Sequence, residues 1–262
     1  SNTTIAKLPL YVMTSPLNHS ATVDFFAKHD NFNVDVNFFS QGMLPCLDKE
    51  GKILLEGPGA VSMAPDGNGG IYPALEKSGM LAQMKGSGIE HLHVFSIDNA
   101  LCQPADPIFM GYCISQKADV GNKVLWKASP DEKVGVLATK GGTKSCVVEY
   151  SDMAPEMTKR VDDTTGKLVF GAANICNHYY TLEFLEHTVL AKMDAMYHIA
   201  NKKIPYYDGS TVISPTTPNG MKLETFIFDV FEFSKRMAVL EVERRHEFAP
   251  VKNAEGKDSP AT

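Results

Sequence analysis

The sequence has no pair of cysteines at Cys-x-x-Cys spacing, no basic stripe and no Gly-x-x-x-x-Gly-Lys-Ser/Thr loop. It also has no apolar run near the ~20 residues that span a bilayer. Each absence removes a class of function. The five cysteines, Cys46, Cys102, Cys113, Cys146 and Cys176, are odd in number and widely scattered, which argues against a disulfide framework and against a zinc site. They read as reduced, mostly buried thiols. Lys and Arg total 25 against 31 Asp and Glu, a net charge of −6 with the cations dispersed, so nothing tracks a nucleic-acid backbone. Without a membrane span or a leader pattern, a cytoplasmic protein is expected. An anionic ligand would have to be held by a few local cations and backbone amides.

What is present suits one sizeable core. The 262 residues are 44% hydrophobic. Short apolar runs alternate with polar segments at the pace of βα units, and there is no repeat or low-complexity linker. The expectation is a single α/β domain with a mixed sheet. Strands are expected at Leu8–Met13 and Val36–Phe39, with a helix capped by Ser20 and running through His29; Ile53–Glu56, a Gly-Pro-Gly turn and the run to Gly70 then lead to a helix over Tyr72–Met80. The clearest strand, Leu92–Ile97, ends in Asp98-Asn99, and Asp106-Pro107 then carries the cap and first-turn signature of a helix through Cys113. Strands at Lys123–Trp126, Val134–Ala138 and Ser145–Tyr150, separated by turn signals, suggest an antiparallel β insertion. Leu182, Leu185, Val189, Met193, Met196 and Ala200 step by threes and fours, the mark of an amphipathic helix. Phe226–Phe233 reads equally as helix or strand, and Ala238–Val242 as a closing strand.

In open α/β sheets ligands gather at the carboxyl ends of strands, so an acid directly after a strand is informative. Asp98 is either a ligand for Mg²⁺ on a phosphate, which suits a hard cation, or the cap of the next turn. Glycines at 67, 69 and 70, before a helix, either admit a ligand close to the backbone or simply make a turn. Glu149-Tyr150 could hydrogen-bond sugar hydroxyls, or be a solvated carboxylate beside a core tyrosine. Asn174 and Asn177 follow small residues, as a tight wall beside a polar ligand would, or as loop asparagines satisfying backbone. His91 and His93 share a strand face, but no third ligand is near, which favours a structural role. Lys222 and Lys252 look like ordinary surface lysines. No nucleophile with an attendant base is recognisable.

In order, the chain reads Phe-Ser-Gln-Gly-Met-Leu-Pro at 39–45, Ser-Met-Ala-Pro-Asp-Gly-Asn-Gly-Gly at 62–70, Ile-Asp-Asn at 97–99 and Val-Glu-Tyr-Ser at 148–151. Asn-Ile-Cys-Asn-His at 174–178, Pro-Asn-Gly-Met-Lys-Leu-Glu at 218–224 and Phe-Ala-Pro-Val-Lys-Asn-Ala at 248–254 follow. From about Leu8 onward this closely resembles the eukaryotic UDP-N-acetylglucosamine pyrophosphorylases, of the UDP-sugar pyrophosphorylase superfamily. The resemblance implies a GT-A-like, Rossmann-like nucleotidyltransferase fold and the uridylyltransferase reaction of UTP with N-acetylglucosamine 1-phosphate, giving UDP-N-acetylglucosamine and pyrophosphate with Mg²⁺. By position it implies that Gln41 and Gly67 contact uracil, Asn68 the sugar, and Asp98 the phosphate and metal. Glu149, Tyr150 and Asn174 would hold the sugar, Lys222 would face phosphate, and Lys252 would lie on the substrate side.

Two departures accompany the resemblance. The family's Asn-Ala-Gly-Asn is here Gly171-Ala172-Ala173-Asn174, which bears on sugar preference. The family's Gly-Gly-x-Gly-Thr-Arg-Leu-Gly loop does not precede Leu8. The chain is therefore expected to be a catalytic domain over 1–252 truncated at its N-terminus, with a polar tail over 253–262. It would be inactive alone, and its exposed sheet region would favour self-association. The alternatives are a related pyrophosphorylase using another hexose 1-phosphate, and a non-catalytic module that binds uridine nucleotide sugars.

Overall fold

The computed structural model describes residues 7–192 and 196–261. In chain order it begins with β1 (Pro9–Thr14), α1 (His19–Lys28) and β2 (Asp35–Ser40). The expected cap Ser20 lies inside α1. Asn18 stands at the cap position, but its Oδ1 accepts from the Ser15 amide at 2.7 Å. Short strands follow: β3 (Met43–Pro45), β4 (Leu47–Asp48), β5 (Leu55–Gly57), β6 (Ala60–Val61) and β7 (Met63–Pro65). The single helix expected over Tyr72–Met80 is two, α2 (Ile71–Lys77) and α3 (Met80–Gly86). Between them Gly79 takes φ 76°, a conformation that closes a helix end.

Next come β8 (His91–Phe95), α4 (Pro107–Ser115) and β9 (Val120–Trp126), then β10 (Val136–Lys140), β11 (Lys144–Val148), α5 (Pro155–Thr158) and β12 (Ala172–Thr181). Asp106 caps α4 as its sequence signature foretold, accepting from the Ile108 amide at 2.9 Å with Pro107 in the first turn.

The long helix expected from Leu182 to Ala200 is not continuous. The described part consists of α6 (Leu182–Phe184), a π-helical turn over Leu185–Val189 and α7 (Leu190–Lys192); Met193 lies outside the described residues. Ala200 belongs to a strand, β13 (His198–Lys202), opposite Lys222 in an antiparallel ladder. The extra residue of a π turn shifts the phase of the apolar stripe, and cross-strand pairing then overrides the helical spacing.

The chain continues through β14 (Tyr206–Tyr207), β15 (Val212–Ile213), β16 (Gly220–Glu224), β17 (Met237–Glu241) and α8 (Arg244–Glu247). The aromatic segment 226–233 is neither a regular α-helix nor a strand: it contains a 3₁₀ turn over Asp229–Phe233 that buries Val230 and Phe231. Among the described residues no helix is long and apolar enough to cross a membrane.

The chain divides into two compact units. The first takes residues 1–83 and 193–227, with the parallel pair β1–β2, the hairpin β3–β7 and the sheet β13–β16–β4. Cys46, Ala64 and Ile204, backed by Leu54, form one of its apolar clusters.

The second unit, residues 84–192 and 228–262, is built on a mixed six-stranded sheet ordered β11–β10–β12–β9–β17, with β8 also paired to β12. β17 runs parallel to β9, and the remaining ladders are antiparallel. The hairpin β10–β11 extends this sheet. β9 is buried along almost its whole length, as a strand covered on both faces must be. Helix α4 lies close over it: a Cβ on Gly121 would come 3.4 Å from the Phe109 Cζ, and Phe109, Cys113, Ala118, Tyr179 and Ala238 pack together there.

One edge of β12 is shared end to end. β10 meets it at Ala173, β8 takes over from Asn177 to Thr181, and between them the ladder with β9 jumps from Asn174↔Val124 to His178↔Asn122. The C-terminal end of β8 and the N-terminal end of β10 therefore meet at an irregular seam over residues 175–177. Cys176 sits in this seam at φ 53° and its carbonyl accepts from the Ser96 amide at 3.0 Å.

Candidate functional site

In the first unit the β3–β7 hairpin carries Gln41 and Gly67. Met43 pairs with Pro65, and the same register continued by two residues sets Gln41 opposite Gly67. The Asp66 amide donates to the Gly42 carbonyl at 3.2 Å and the Gln41 amide to the Thr14 carbonyl at 2.8 Å.

The glycines at 67, 69 and 70 prove to have an internal reason. A Cβ on Gly67 would lie 2.8 Å from the Thr225 nitrogen, one on Gly69 2.8 Å from the Phe226 carbonyl, and one on Gly70 2.6 Å from the Asp66 Cγ. The bareness of Gly67 and Gly69 lets the segment after β16 dock against this turn, while that of Gly70 makes room for the Asp66 carboxyl. Asn68 completes the clasp, its Oδ1 accepting from the Ile227 amide at 2.9 Å. The Asp66 carboxyl lies in a glycine cradle, 2.5 Å from where a Gly42 Cβ would stand; burial pushes it above the usual carboxylate range. Lys222 is half-buried in the middle of β16, the strand that leads into Thr225. The first unit thus brings Gln41, Gly67 and Asn68 onto one turn clamped by the end of the strand that bears Lys222.

In the second unit the seam of β12 gathers the others. Asp98 follows β8, with Ser96 Oγ donating to its Oδ1 at 2.6 Å and Lys252 Nζ 3.6 Å from its Oδ2. The Asp98 backbone carbonyl accepts from the Val251 amide at 2.8 Å. Two residues that are far apart in sequence and locally unremarkable are thus a pair, which sequence spacing could not reveal. The tail beyond them is pinned too: the Lys252 and Asn253 amides donate to the Asp258 carbonyl at 2.7 and 3.0 Å, and Ser259 is buried.

On the other side of the seam the Asn174 amide donates to the Gly135 carbonyl at 2.9 Å, and its Oδ1 accepts from the Cys176 amide at 3.1 Å. The ladders Val136↔Ala173 and Val136↔Val148, moved on by one residue, line up Glu149, Gly135 and Asn174 across one sheet face. Gly135 keeps the row open between the outer two: a Cβ there would come 2.7 Å from Glu149 Oε1. Tyr150 is 46% exposed, so the core-tyrosine alternative for this residue does not hold.

The remaining polar residues have structural partners. His93 is fixed as the tautomer with its proton on Nε2, since Nδ1 accepts from the Ala105 amide at 2.9 Å and Nε2 meets Asn177 Oδ1 at 2.6 Å. His91 Nδ1 lies 2.8 Å from the Tyr179 hydroxyl. Of the five cysteines, all free, only Cys46 and Cys113 are fully buried; Cys102, Cys146 and Cys176 are half-buried. Among the described residues no cluster of three or more His, Cys, Asp or Glu could hold a metal by itself. A carboxylate such as Asp98, beside ligand phosphates, suits Mg²⁺, which takes one or two carboxylates and completes its shell with phosphate oxygens and water. Sequence reasoning assigned no role to Ser96, Asn99, Gly135 and Lys123; Asn99 lies in the Ile-Asp-Asn motif at 97–99, Lys123 is a charge inside an apolar strand, and the other two carry no motif signal.

Residues 1–256 match the family described as UTP–glucose-1-phosphate uridylyltransferase. A human UDP-N-acetylhexosamine pyrophosphorylase-like protein 1 is 45% identical over 97% of the chain, which covers 51% of that protein. UDP-N-acetylglucosamine diphosphorylase 2 of Arabidopsis thaliana is 44% identical over 95% of the chain and 49% of its own length. The chain thus spans about half the length of the curated relatives it matches. Among solved structures, a putative UDP-N-acetylglucosamine pyrophosphorylase from Entamoeba histolytica superposes with a TM-score of 0.89 at 33% identity, covering 99% of this chain and 65% of that one. A Leishmania major UDP-glucose pyrophosphorylase superposes at 0.71 with 21% identity, over 92% of this chain and 53% of that one, a likeness of fold alone.

Proposed function

From the premise that the chain belongs to the UTP–glucose-1-phosphate uridylyltransferase family, we infer that it serves uridylyl transfer from UTP to N-acetylglucosamine 1-phosphate, giving UDP-N-acetylglucosamine and pyrophosphate. The observation that carries the reading is Asp98, held by Ser96 at the end of β8 and facing Lys252. A carboxylate and a cation fixed at a strand end are what a polyanionic substrate pair with a divalent ion requires. The acetylated sugar is favoured because relatives at 44% identity and above bear N-acetylhexosamine names, whereas the UDP-glucose enzyme at 21% shares only the fold.

In this reaction an oxygen of the sugar phosphate attacks the α-phosphorus of UTP, the bond from that phosphorus to the bridging oxygen breaks, and pyrophosphate leaves with the electron pair. No protein nucleophile is needed; the chain's task is positioning and charge neutralisation. Gln41 and Gly67 would read uracil, Asn68, through its amide nitrogen, would reach the sugar, and Lys222 would face phosphate. Glu149, Tyr150 and Asn174 would line the sugar side, and Lys252 would steady oxygens whose charge grows in the transition state. Mg²⁺, when bound through Asp98 and phosphate oxygens, would supply further neutralisation.

Calorimetric titration of UDP-N-acetylglucosamine and UDP-glucose with Mg²⁺, into the chain and its Asn174→Ala variant, tests the reading. Preferential binding of the acetylated sugar, lost in the variant, supports it; equal or absent binding of both overturns the sugar assignment. One feature favours a second reading: Gly171 stands where the family's first sugar-side asparagine is expected, as it would in an enzyme for another hexose 1-phosphate. Stronger binding of UDP-glucose would select that alternative.

A further inference from the structure

Lys123 lies inside β9 with its side chain fully buried. A buried ammonium is tolerated only when its charge and its donors are satisfied. Here Nζ donates to Asp106 Oδ2 at 2.6 Å and to Glu247 Oε2 and Oε1 at 2.9 and 3.0 Å, with the Phe109 ring 5.4 Å away. The Asp106 carboxyl feels burial most, which raises it. The hydrogen bond and charge of Lys123 and the helix amides outweigh this and hold it below the usual carboxylate range.

None of these three charged groups has a part in the proposed reaction, but the segment they anchor has. The Glu247 backbone carbonyl accepts from Asn99 Nδ2 at 2.7 Å, and Asn99 Oδ1 accepts from the Ala249 amide at 3.0 Å. The Ala100 amide donates to the Ala249 carbonyl at 3.1 Å, and the Val251 amide to the Asp98 carbonyl at 2.8 Å. Residues 247–251 are thereby laced along residues 98–100, and Lys252 emerges beside Asp98. The Lys252 side chain is 58% exposed, and an exposed ion pair of this kind is too weak to order itself. The spacing of the pair has to come from the backbone lacing beneath it, and the lacing is bolted to the sheet by Lys123 through Glu247.

We propose that Lys123 and Asn99 are positioning residues, which hold the Asp98 carboxylate and the Lys252 ammonium at the separation the polyphosphate-handling site uses. The functional meaning of that separation rests on the reading above; the relay itself does not.

The test therefore reads the pair directly. Reductive ¹³C-methylation labels the exposed Lys252 amine, whose resonance is assigned by its loss in Lys252→Arg, and Asp98→Asn gives its position when unpaired. The expected result is that Asn99→Ala moves the Lys252 resonance most of the way to the Asp98→Asn position. Glu247→Gln, which preserves volume and the accepting backbone carbonyl but removes the charge that meets Lys123, is expected to move it part of the way. The Asn99→Ala, Asp98→Asn double variant should move it no further than Asp98→Asn alone. The proposal is overturned if Asp98→Asn leaves the resonance in place. It is equally overturned if a folded Asn99→Ala or Glu247→Gln protein keeps the wild-type position; should Asn99→Ala not fold, Glu247→Gln decides. Failure of the chain to bind UDP-sugars would count against the functional reading and leave this result untouched.

Discussion

Gly171 and Trp126 exclude a side chain between them: a Cβ on Gly171 would stand 2.5 Å from Trp126 Cε2, while Lys167 Nζ covers the ring 4.8 Å from its centroid. The departure from the family's asparagine at this position is thus matched by an indole where the side chain would go. Gly171→Ala is expected to destabilise the protein by about 1–3 kcal/mol, the usual cost of overpacking. In a Trp126→Ala background the same change should cost little. Urea unfolding of the four proteins of this cycle measures the coupling directly, and additive effects would show that the two positions are independent.

His178 sets an acid limit on stability. Its Nδ1 meets Asn122 Oδ1 at 2.7 Å, no hydrogen-bond partner reaches Nε2 among the described residues, and burial, helped by His93, pushes its pKa down to about 3. The unfolded chain protonates such a ring near pH 6.5. Between these values the unfolded state binds the extra proton, so stability is full above pH 6.5 and falls as the pH drops toward 3, by up to about 1.4 kcal/mol per pH unit. His93, also lowered by burial, acts in the same sense. Comparing urea midpoints at pH 7 and pH 5 should show the loss, and His178→Gln should remove about one proton's share of it. An unchanged slope in the variant would assign the acid sensitivity elsewhere.

Gly67 combines φ 92° with backbone contact to Thr225. Gly67→Ala is expected to cost about 1–3 kcal/mol from the strained backbone alone. It should also weaken UDP binding more than Lys77→Ala, a change on the last residue of α2. Calorimetry with UDP separates the two effects; full affinity in a folded Gly67→Ala protein would remove this turn from the proposed uracil contact.

Cys176 should be inert despite its place beside Asp98. Burial first, and then the Asp98 charge, push its thiol up to about 12 against the opposing pull of Lys252; burial, against a backbone hydrogen bond that lowers it, takes Cys113 to about 12. With iodoacetamide at pH 8, peptide mapping should find Cys176 and Cys113 unmodified in the native protein and modified only in urea. Rapid native labelling of Cys176 would mean that the seam opens.

The sequence made legible what is local. The Asp106-Pro107 helix start and the β17 strand rest on near neighbours, and both are found; β8 itself ends at Phe95, short of the expected Ile97, so Asp98 stands in the turn after it. The continuation of the Leu182 helix to Ala200 failed because the pairing of Ala200 with Lys222 lies outside any window of periodicity. The grouping of Asp98 with Lys252 was reachable only through resemblance, since the backbone of Val251 and Ala249 and the side-chain amide of Asn99 create it by hydrogen bonds between distant segments. The glycines at 67, 69 and 70 read either as room for a ligand or as a turn, and the contacts show why local pattern left this open: the space beside Gly67 and Gly69 is taken by Thr225 and Phe226, far along the chain, and that beside Gly70 by Asp66.

The seam of β12 also bears on how related chains can vary. The ladder with β9 runs from Asn174↔Val124 to His178↔Asn122, so four steps along β12 span two along its partner, and Cys176 at φ 53° takes up the excess. The facing of His178 and Tyr180 is set by their pairing with Asn122 and Val120 rather than by the number of residues within 175–177. Insertion or loss of a residue at this point in related chains should therefore leave those two side chains on the face they occupy here.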